Sequence, residues 1–593
     1  MNRKKFNTEI FNPELINYDI SKLQQISNYI SHLDINKLNL KKKVNLTISS
    51  DYTTDYWCQI LKLFLLNKKI EPNIIQTEFG SLRYNLRNLK SSIWKQKTDF
   101  FILIPSSENL SFCPDINDKK KIIKKMAEDD AELWLNLWNK IDKKIIQTTF
   151  DPPIYPGLSN EDGIRYGGYL HYIRMVNNIL VENLPRHVNL IDVENLLLQN
   201  TNTNWQDNRM YSLAKQPFSM STIPPLVKSI NNNIIYSLGI TKKVIVIDLD
   251  NTIWGGIIGD DGIEGIELGD ETPDGEAFVL FQKYLKKLSK NGLILCVCSK
   301  NDESIAKEVF KKHKSMVLKL DDVSIFVANY NDKATNIKKI SKTLNLGLDS
   351  FVFIDDSKIE CSIVKKVLPD VSVVNVSNDP SEFINIIEKL SLFNFRNVTD
   401  EDISRVQSYK KINQLHLKKS STNNLEKFLK DLKPTISIEK VNPVNVIRGS
   451  QLIAKTNQFK FNSKNYSEKE LLKQKKQVLL INFKDNIQNY GIISSLVFRL
   501  DKSSKILEIK NWVMSCRVFS RRIENFILIY LIDKAKKNNC NKLCFNFQIT
   551  KKNIYLQNFL KELGIKIIKD KEIYSINFSN IKNLKKNYIK LSK

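Results

Sequence analysis

The chain has 593 residues, more than one hydrophobic core organises, and its size predicts three or four domains. Hydrophobic residues make up 42% of it, an ordinary share for globular protein, which excludes a disordered or fibrous chain. The net charge of +27 invites a nucleic-acid reading, but the excess is lysine spread along an Asn- and Ile-rich chain. With no RNP motif, zinc finger or basic helix running into heptads, nucleic acid is set aside and an acidic protein partner is kept.

No apolar run nears the roughly 20 residues of a membrane-spanning helix. The longest, residues 526–532, is about a third of that. The first residues are basic without an apolar stretch behind them, so no secretory signal is expected and the expected location is the cytoplasm. Cysteines at 58, 113, 296, 298, 361, 516, 540 and 544 form no matching zinc half-sites, and free thiols are the expectation.

Residues 1–238 alternate short apolar strands, near 44–49 and 100–105, with helical stretches. Residues 239–395 open on a strand at 243–248 and continue helix–strand through 293–299 and 351–355. Apolar runs of this length between amphipathic segments predict a parallel, doubly wound α/β sheet. Thr399, Asp400, Glu401 and Asp402 read as a capping box with Asp in place of the usual Glu, and 418–424 reads as a polar linker. Residues 396–423 then separate off a third region, 424–593, with strands near 477–483, 506–514 and 542–547 and a long helix at 522–537.

The densest chemistry lies at the end of the strand 243–248. Asp248 and Asp250 stand two residues apart where a buried strand runs out, with Thr252 closing the motif. Active sites of open parallel sheets lie at such carboxyl ends. Two acids there divide phosphoryl transfer between them: Asp248 attacks phosphorus, and Asp250 protonates the leaving oxygen and then activates the acceptor. Ser299 ends a second strand and can hydrogen-bond a phosphoryl oxygen. Lys333 precedes a helix and can balance phosphate charge. Asp355 and Asp356 end another strand and can hold Mg²⁺ together with Asp248 and the backbone carbonyl of Asp250, an all-oxygen set of the kind this ion prefers. Neither the interval from Asp250 to Ser299 nor that from Lys333 to Asp355 has room for a large cap domain.

This ordered set resembles the motifs of the haloacid dehalogenase superfamily. The segment 254–262, which opens Trp254, Gly255, Gly256, together with 297–302 and 331–337, is similar to the FkbH-like family. Residues 205–217, 455–459 and 515–518 and Arg521 extend that resemblance over nearly the whole chain. It implies three domains: an SGNH-hydrolase-like α/β fold over 1–238, a Rossmannoid haloacid-dehalogenase-like parallel sheet without a large cap over 239–395, and a GNAT-acyltransferase-like mixed α+β fold over 424–593. It further implies a Mg²⁺-dependent phosphatase or phosphotransferase. Its action would be coupled to moving an acyl, glyceryl-like group from an acyl phosphate to an acyl carrier protein, in secondary-metabolite or surface-glycan synthesis. The alternatives are a plain phosphatase with flanking binding domains and a non-catalytic scaffold.

This sequence departs from the family pattern in two places. After the first strand it reads Ser49, Ser50, Asp51, Tyr52 rather than Gly-Asp-Ser, and His187 precedes Asp192 where a triad needs the reverse order. A binding role is therefore expected of the first region. In the tail, Ser520 and Arg522 replace the glycines that would let a backbone approach a coenzyme pyrophosphate, although Arg517 and Arg521 could contact phosphate themselves. Cys298 and Cys516 are the candidate thioester carriers, set against the common fate of strand cysteines as small buried hydrophobes. Asn457 and Gln458 are candidates for orienting a substrate carbonyl or amide.

Overall fold

The computed structural model forms two compact units, Met1–Ser237 and Leu238–Lys593. It describes residues 10–11, 15, 18–31, 38, 40, 42–88, 90–141, 143–154, 157–199, 204–393, 430, 432–486, 489–515, 518–519, 521–550, 552–568, 572–582 and 588–592. The capping box expected at Thr399–Asp402 and the linker at 418–424 lie outside these residues.

The first unit is built on five parallel strands: β1 (Lys42–Ser50), β2 (Ile70–Gln76), β3 (Phe100–Ile104), β4 (Lys144–Thr148) and β5 (Val188–Ile191). Their order is β2-β1-β3-β4-β5, the flavodoxin-like doubly wound arrangement. Every residue of β3 is buried, because helices cover both faces of such a sheet and leave no solvent side for polar alternation. The strand order reverses between β1 and β3, and Ser50, Asp51 and Ser106 gather at that switch point.

The second unit holds two sheets. The first consists of β6 (Val244–Ile247), β7 (Ile294–Ser299), β8 (Ile325–Ala328), β9 (Phe351–Asp355) and β10 (Ser372–Asn375), all parallel in the order β10-β9-β6-β7-β8. Alternate residues feed two cores. Ile245, Ile247, Leu295, Val297, Val352 and Ile354 pack on one face. Val244, Val246, Cys296, Cys298, Phe351 and Phe353 pack on the other, as a two-residue period requires. The connection between β6 and β7 carries only the helical segments Ile258–Gly265 and Pro273–Lys290, so it inserts no cap domain.

The second sheet, in the tail, comprises β11 (Thr435–Lys440), β12 (Val478–Lys484), β13 (Asn489–Asp501), β14 (Ile506–Met514), β15 (Lys542–Asn546), β16 (Ile573–Asn577) and β17 (Lys590–Leu591). Its order is β16-β15-β14-β13-β12-β11-β17. Strands β11 to β14 are antiparallel neighbours, whereas β14 and β15 are parallel. The helix Ile523–Lys536 lies between those two in sequence, and a crossover of that length is what a parallel pair needs. The result is the mixed α+β, GNAT-like sheet expected of the tail.

Candidate phosphotransfer site

Strand β6 ends at Ile247, and the next amide still belongs to the sheet: Asp248 N–H donates to Ile354 O at 3.1 Å. The chain then turns at once. Thr252 and Ile253 N–H both donate to Leu249 O, and Asn251 takes a left-handed conformation with φ 50°, which Asn tolerates better than most residues. This tight loop places both acids over the sheet edge.

Strands β7 and β9 flank β6 and deliver Ser299, Asp355 and Asp356, and the helix Lys333–Leu344 after β8 delivers Lys333. Lys333 Nζ, 3% exposed, lies 2.9 Å from Asp248 Oδ2 and 2.6 Å from Asp355 Oδ2. Thr252 Oγ1 donates to Asp356 Oδ1 at 3.2 Å, and Ser357 N–H donates to Asp355 Oδ1 at 2.9 Å. Oxygens of Asp248, Asp355 and Asp356 lie within 4.8 Å of one another. Burial, followed by the charge of Asp248, pushes Asp355 up to about 7 and raises Asp356. Burial alone would lower Lys333, but Asp248 and Asp355 hold it above the ordinary lysine value.

Three carboxylates share this small volume with one ammonium group, and Asp248 Oδ1 is buried without a hydrogen-bond partner among the described residues. Surplus buried negative charge calls for a cation. An all-oxygen donor set with one unused carboxylate oxygen fits a hard divalent ion such as Mg²⁺. Asp248, Asp355 and Asp356 supply the side chains for it.

Asp250 carries a different set of contacts. Its Oδ1 accepts from Trp254 Nε1 at 3.0 Å and from Ile258 N–H at 3.2 Å, and its Oδ2 accepts from Asn301 Nδ2 at 2.9 Å. Burial raises its carboxyl above the ordinary aspartate value, against these hydrogen bonds. The carboxylate of Asp250 does not belong to the three-carboxylate group; it is oriented beside it, as an acid–base group needs. Asn301 also donates to Ser299 Oγ at 3.2 Å. Asn301 and Trp254 were not singled out from the sequence as site residues. The available signal was spacing, since Asn301 follows Ser299 by two positions and Trp254 follows Asp250 by four.

Other expected site residues fall elsewhere. Cys298 is fully buried in the core beneath the helix Lys333–Leu344, with Sγ 3.9 Å from Lys333 O, and burial pushes its thiol up to about 12. It points away from Ser299 because neighbouring strand residues face opposite sides, and a thiol of that kind is no nucleophile at neutral pH. Arg521 is also not a phosphate contact: its guanidinium is 8% exposed, donates to Asp485 Oδ2 at 2.5 Å and Tyr490 OH at 2.7 Å, and lies over the Tyr490 ring. Asn457 is exposed and Gln458 half-buried, in the bend after the helix Val446–Lys455. Cys516, Arg517 and Ser520 lie outside the described residues.

In the first unit, Ser50 Oγ donates to Ile104 O at 3.1 Å and accepts from Tyr52 N–H at 2.9 Å, so a backbone carbonyl stands where a general base would. His187 Nε2 lies 2.8 Å from Trp138 O instead. Tyr52 OH, 3% exposed, bridges Ser106 Oγ and the Asp151 carboxylate, which also accepts from Ser107 N–H at 3.1 Å. Desolvation pushes Asp151 up to about 6 despite those donors.

Residues 45–235 match the family described as FkbH, N-terminal domain. Among solved structures, the N-terminal part of protein BF1531 from Bacteroides fragilis, containing a phosphatase domain complexed with Mg, is 27% identical. That match has a TM-score of 0.57 and covers 64% of this chain and 99% of that one. A GNAT-family acetyltransferase from Staphylococcus aureus is 19% identical with a TM-score of 0.20, covering 24% of this chain and 99% of that one. No curated protein matches the chain. No helix among the described residues is long and apolar enough to cross a membrane.

Proposed function

We propose that this FkbH-like protein of the haloacid dehalogenase type is a Mg²⁺-dependent phosphatase or phosphotransferase with Asp248 as its nucleophile. The observation that carries the reading is the convergence of Asp248, Lys333, Asp355 and Asp356 at one sheet edge, with Asp250 held beside them by Asn301 and Trp254. The Asp248 carboxylate attacks phosphorus. Asp250, whose carboxyl is raised by burial, gives its proton to the leaving oxygen and recovers one from the incoming acceptor. Lys333 and Ser299 face the transferring group's oxygens, and Thr252 fixes the rotamer of Asp356. When bound, Mg²⁺ neutralises charge that develops on the phosphoryl oxygens.

The finer reading couples this site to acyl transfer, from an acyl phosphate to an acyl carrier protein, in cytoplasmic synthesis of a secondary metabolite or surface glycan. The two steps break different bonds. Attack by Asp248 breaks a P–O bond and returns a hydroxyl or carboxylate. Keeping the acyl group activated instead requires a thiol to attack the acyl carbon. The C–O bond then breaks, phosphate leaves with the electron pair, and the thiol proton goes to solvent or a base. The first unit, with no serine–histidine pairing at Ser50, serves as a binding module in this reading.

Incubation with Mg²⁺ and an acyl phosphate or phosphomonoester should release phosphate, and Asp248→Asn should abolish it. Unchanged turnover in that variant overturns the reading. A plain phosphatase with flanking binding domains is favoured by the buried, unreactive state of Cys298. Intact mass of a carrier protein separates the two, since an added acyl mass supports transfer and phosphate release without it supports the plain phosphatase.

A further inference from the structure

Strands β14 and β15 pair in parallel from Ile506/Lys542 to Ile509/Phe545 and no further, although β14 continues to Met514. Two parallel strands that part leave facing rows of N–H and C=O groups. Such a cleft suits an extended, amide-bearing ligand that can add itself as a strand. A pantetheine arm, whether on coenzyme A or on a carrier protein, has that chemistry.

In this chain the cleft is filled from within. Residues 459–462 run antiparallel to β14, with Lys460 bridged to Val513. Phe461 N–H donates to Trp512 O at 3.2 Å, and Met514 N–H donates to Phe459 O at 3.1 Å. On the β15 side, Gln548 N–H donates to Phe461 O at 2.9 Å. Asn462 Nδ2 spans the gap, donating to Lys510 O at 2.9 Å and Asn546 O at 3.3 Å. Asn553 Nδ2 donates to Lys460 O at 3.3 Å. The segment thus uses the backbone groups of both edges that a ligand would need.

Aromatic side chains fill the cleft's apolar interior, and the pocket of about 390 Å³ that remains at its mouth is lined by polar groups, among them Asn462, Lys464, Glu508, Lys510 and Gln548. Phe459 and Phe461 are 0% and 1% exposed. Phe459 packs against Trp512, Tyr555 and Phe559, and Phe461 packs against Trp512 and Phe545. At the start of the helix Ile523–Lys536, where an anion would gain most from unpaired N–H groups, Glu524 is 6% exposed and accepts from Tyr555 OH at 3.1 Å. A carboxyl group already occupies that helix start.

We infer that the tail's sheet cleft is a self-filled seat that admits neither coenzyme A nor a pantetheine arm. Resting on the proposed coupling to a carrier protein, any acyl transfer by this chain then takes place away from the cleft between β14 and β15. The tail keeps an acyltransferase-like sheet whose cosubstrate position is a built-in strand.

The test uses the full-length protein, with coenzyme A, acetyl-coenzyme A and pantetheine as separate probes. Calorimetric titration should show no saturable heat and thermal unfolding no shift. Hydrogen exchange at the Phe461, Met514 and Gln548 amides should stay slow and unchanged by the probes. Saturable binding, or loss of protection at these three amides on adding a probe, overturns the inference, because the segment would then be a displaceable plug. Phosphate release through Asp248 is measured on the same samples. A protein that releases phosphate yet binds coenzyme A sinks the inference alone, and one that does neither sinks the phosphotransfer reading alone.

Discussion

Lys333 supplies the positive charge between two buried carboxylates, so Lys333→Met is the most informative single change at the site. Its ammonium lies 2.9 Å from Asp248 and 2.6 Å from Asp355, and all three side chains are under 10% exposed. Met retains most of the volume and removes only the charge. Breaking a buried pair by deleting one partner costs about 3–5 kcal/mol, because the remaining charges are left uncompensated. Near a domain of ~150–250 residues each kcal/mol moves the midpoint by about 2–4 °C, so the metal-free variant should melt roughly 6–20 °C below wild type. A divalent ion held by Asp248, Asp355 and Asp356 would supply the same kind of compensation. Mg²⁺ should therefore raise the midpoint of the variant more than that of wild type. Phosphate release should fall by about 10²–10³, the scale of losing one charge-stabilising donor. Differential scanning calorimetry in EDTA and in Mg²⁺, with phosphate release alongside, measures both effects. A variant that melts with wild type in EDTA, or gains no more than wild type from Mg²⁺, refutes the electrostatic account of the site.

Asn301→Ala removes the donor shared by Asp250 and Ser299 and should lower phosphate release about 10–100-fold, with Mg²⁺ affinity from calorimetry unchanged. Arg521→Ala removes the guanidinium that pairs with the buried Asp485 carboxylate, and should destabilise the tail by about 3–5 kcal/mol in urea unfolding; a variant as stable as wild type would contradict the pairing. Asp151 has its folded value raised to about 6 from 3.8. The stability it contributes is present in full below the unfolded value and is lost as pH rises through about 6. Asp151→Asn should flatten the fall in midpoint of the first unit between pH 4 and about 6, and an unchanged slope would show that Asp151 is ionised there.

Local signals in this chain were strong wherever burial is imposed from both sides. The strands near 243–248, 293–299 and 351–355 were legible because a covered parallel sheet demands uninterrupted apolar residues, those near 44–49 and 506–514 because apolar residues recur between polar ones, and each appears within a residue or two of its expected ends. The order of Asp248, Ser299, Lys333 and Asp355 pointed to phosphotransfer because each follows or ends such a strand or opens a helix, so secondary structure nearly dictates its position. Pairings between distant segments left no such trace. That Asn301 holds Asp250, that Arg521 is spent on Asp485, and that Cys298 faces the core behind Ser299 depend on which elements lie side by side.

The same holds most strongly for residues 459–462, of which the family resemblance at 455–459 reached only Phe459. Periodicity along a chain reports whether a residue meets water or protein, because that is decided by the pitch of its own element. Which protein atoms it meets is decided by chain crossings tens of residues away. Only the tertiary structure could therefore reveal that residues 459–462 lie between the two strands, while the sequence sufficed to place Asp248 at the end of its strand.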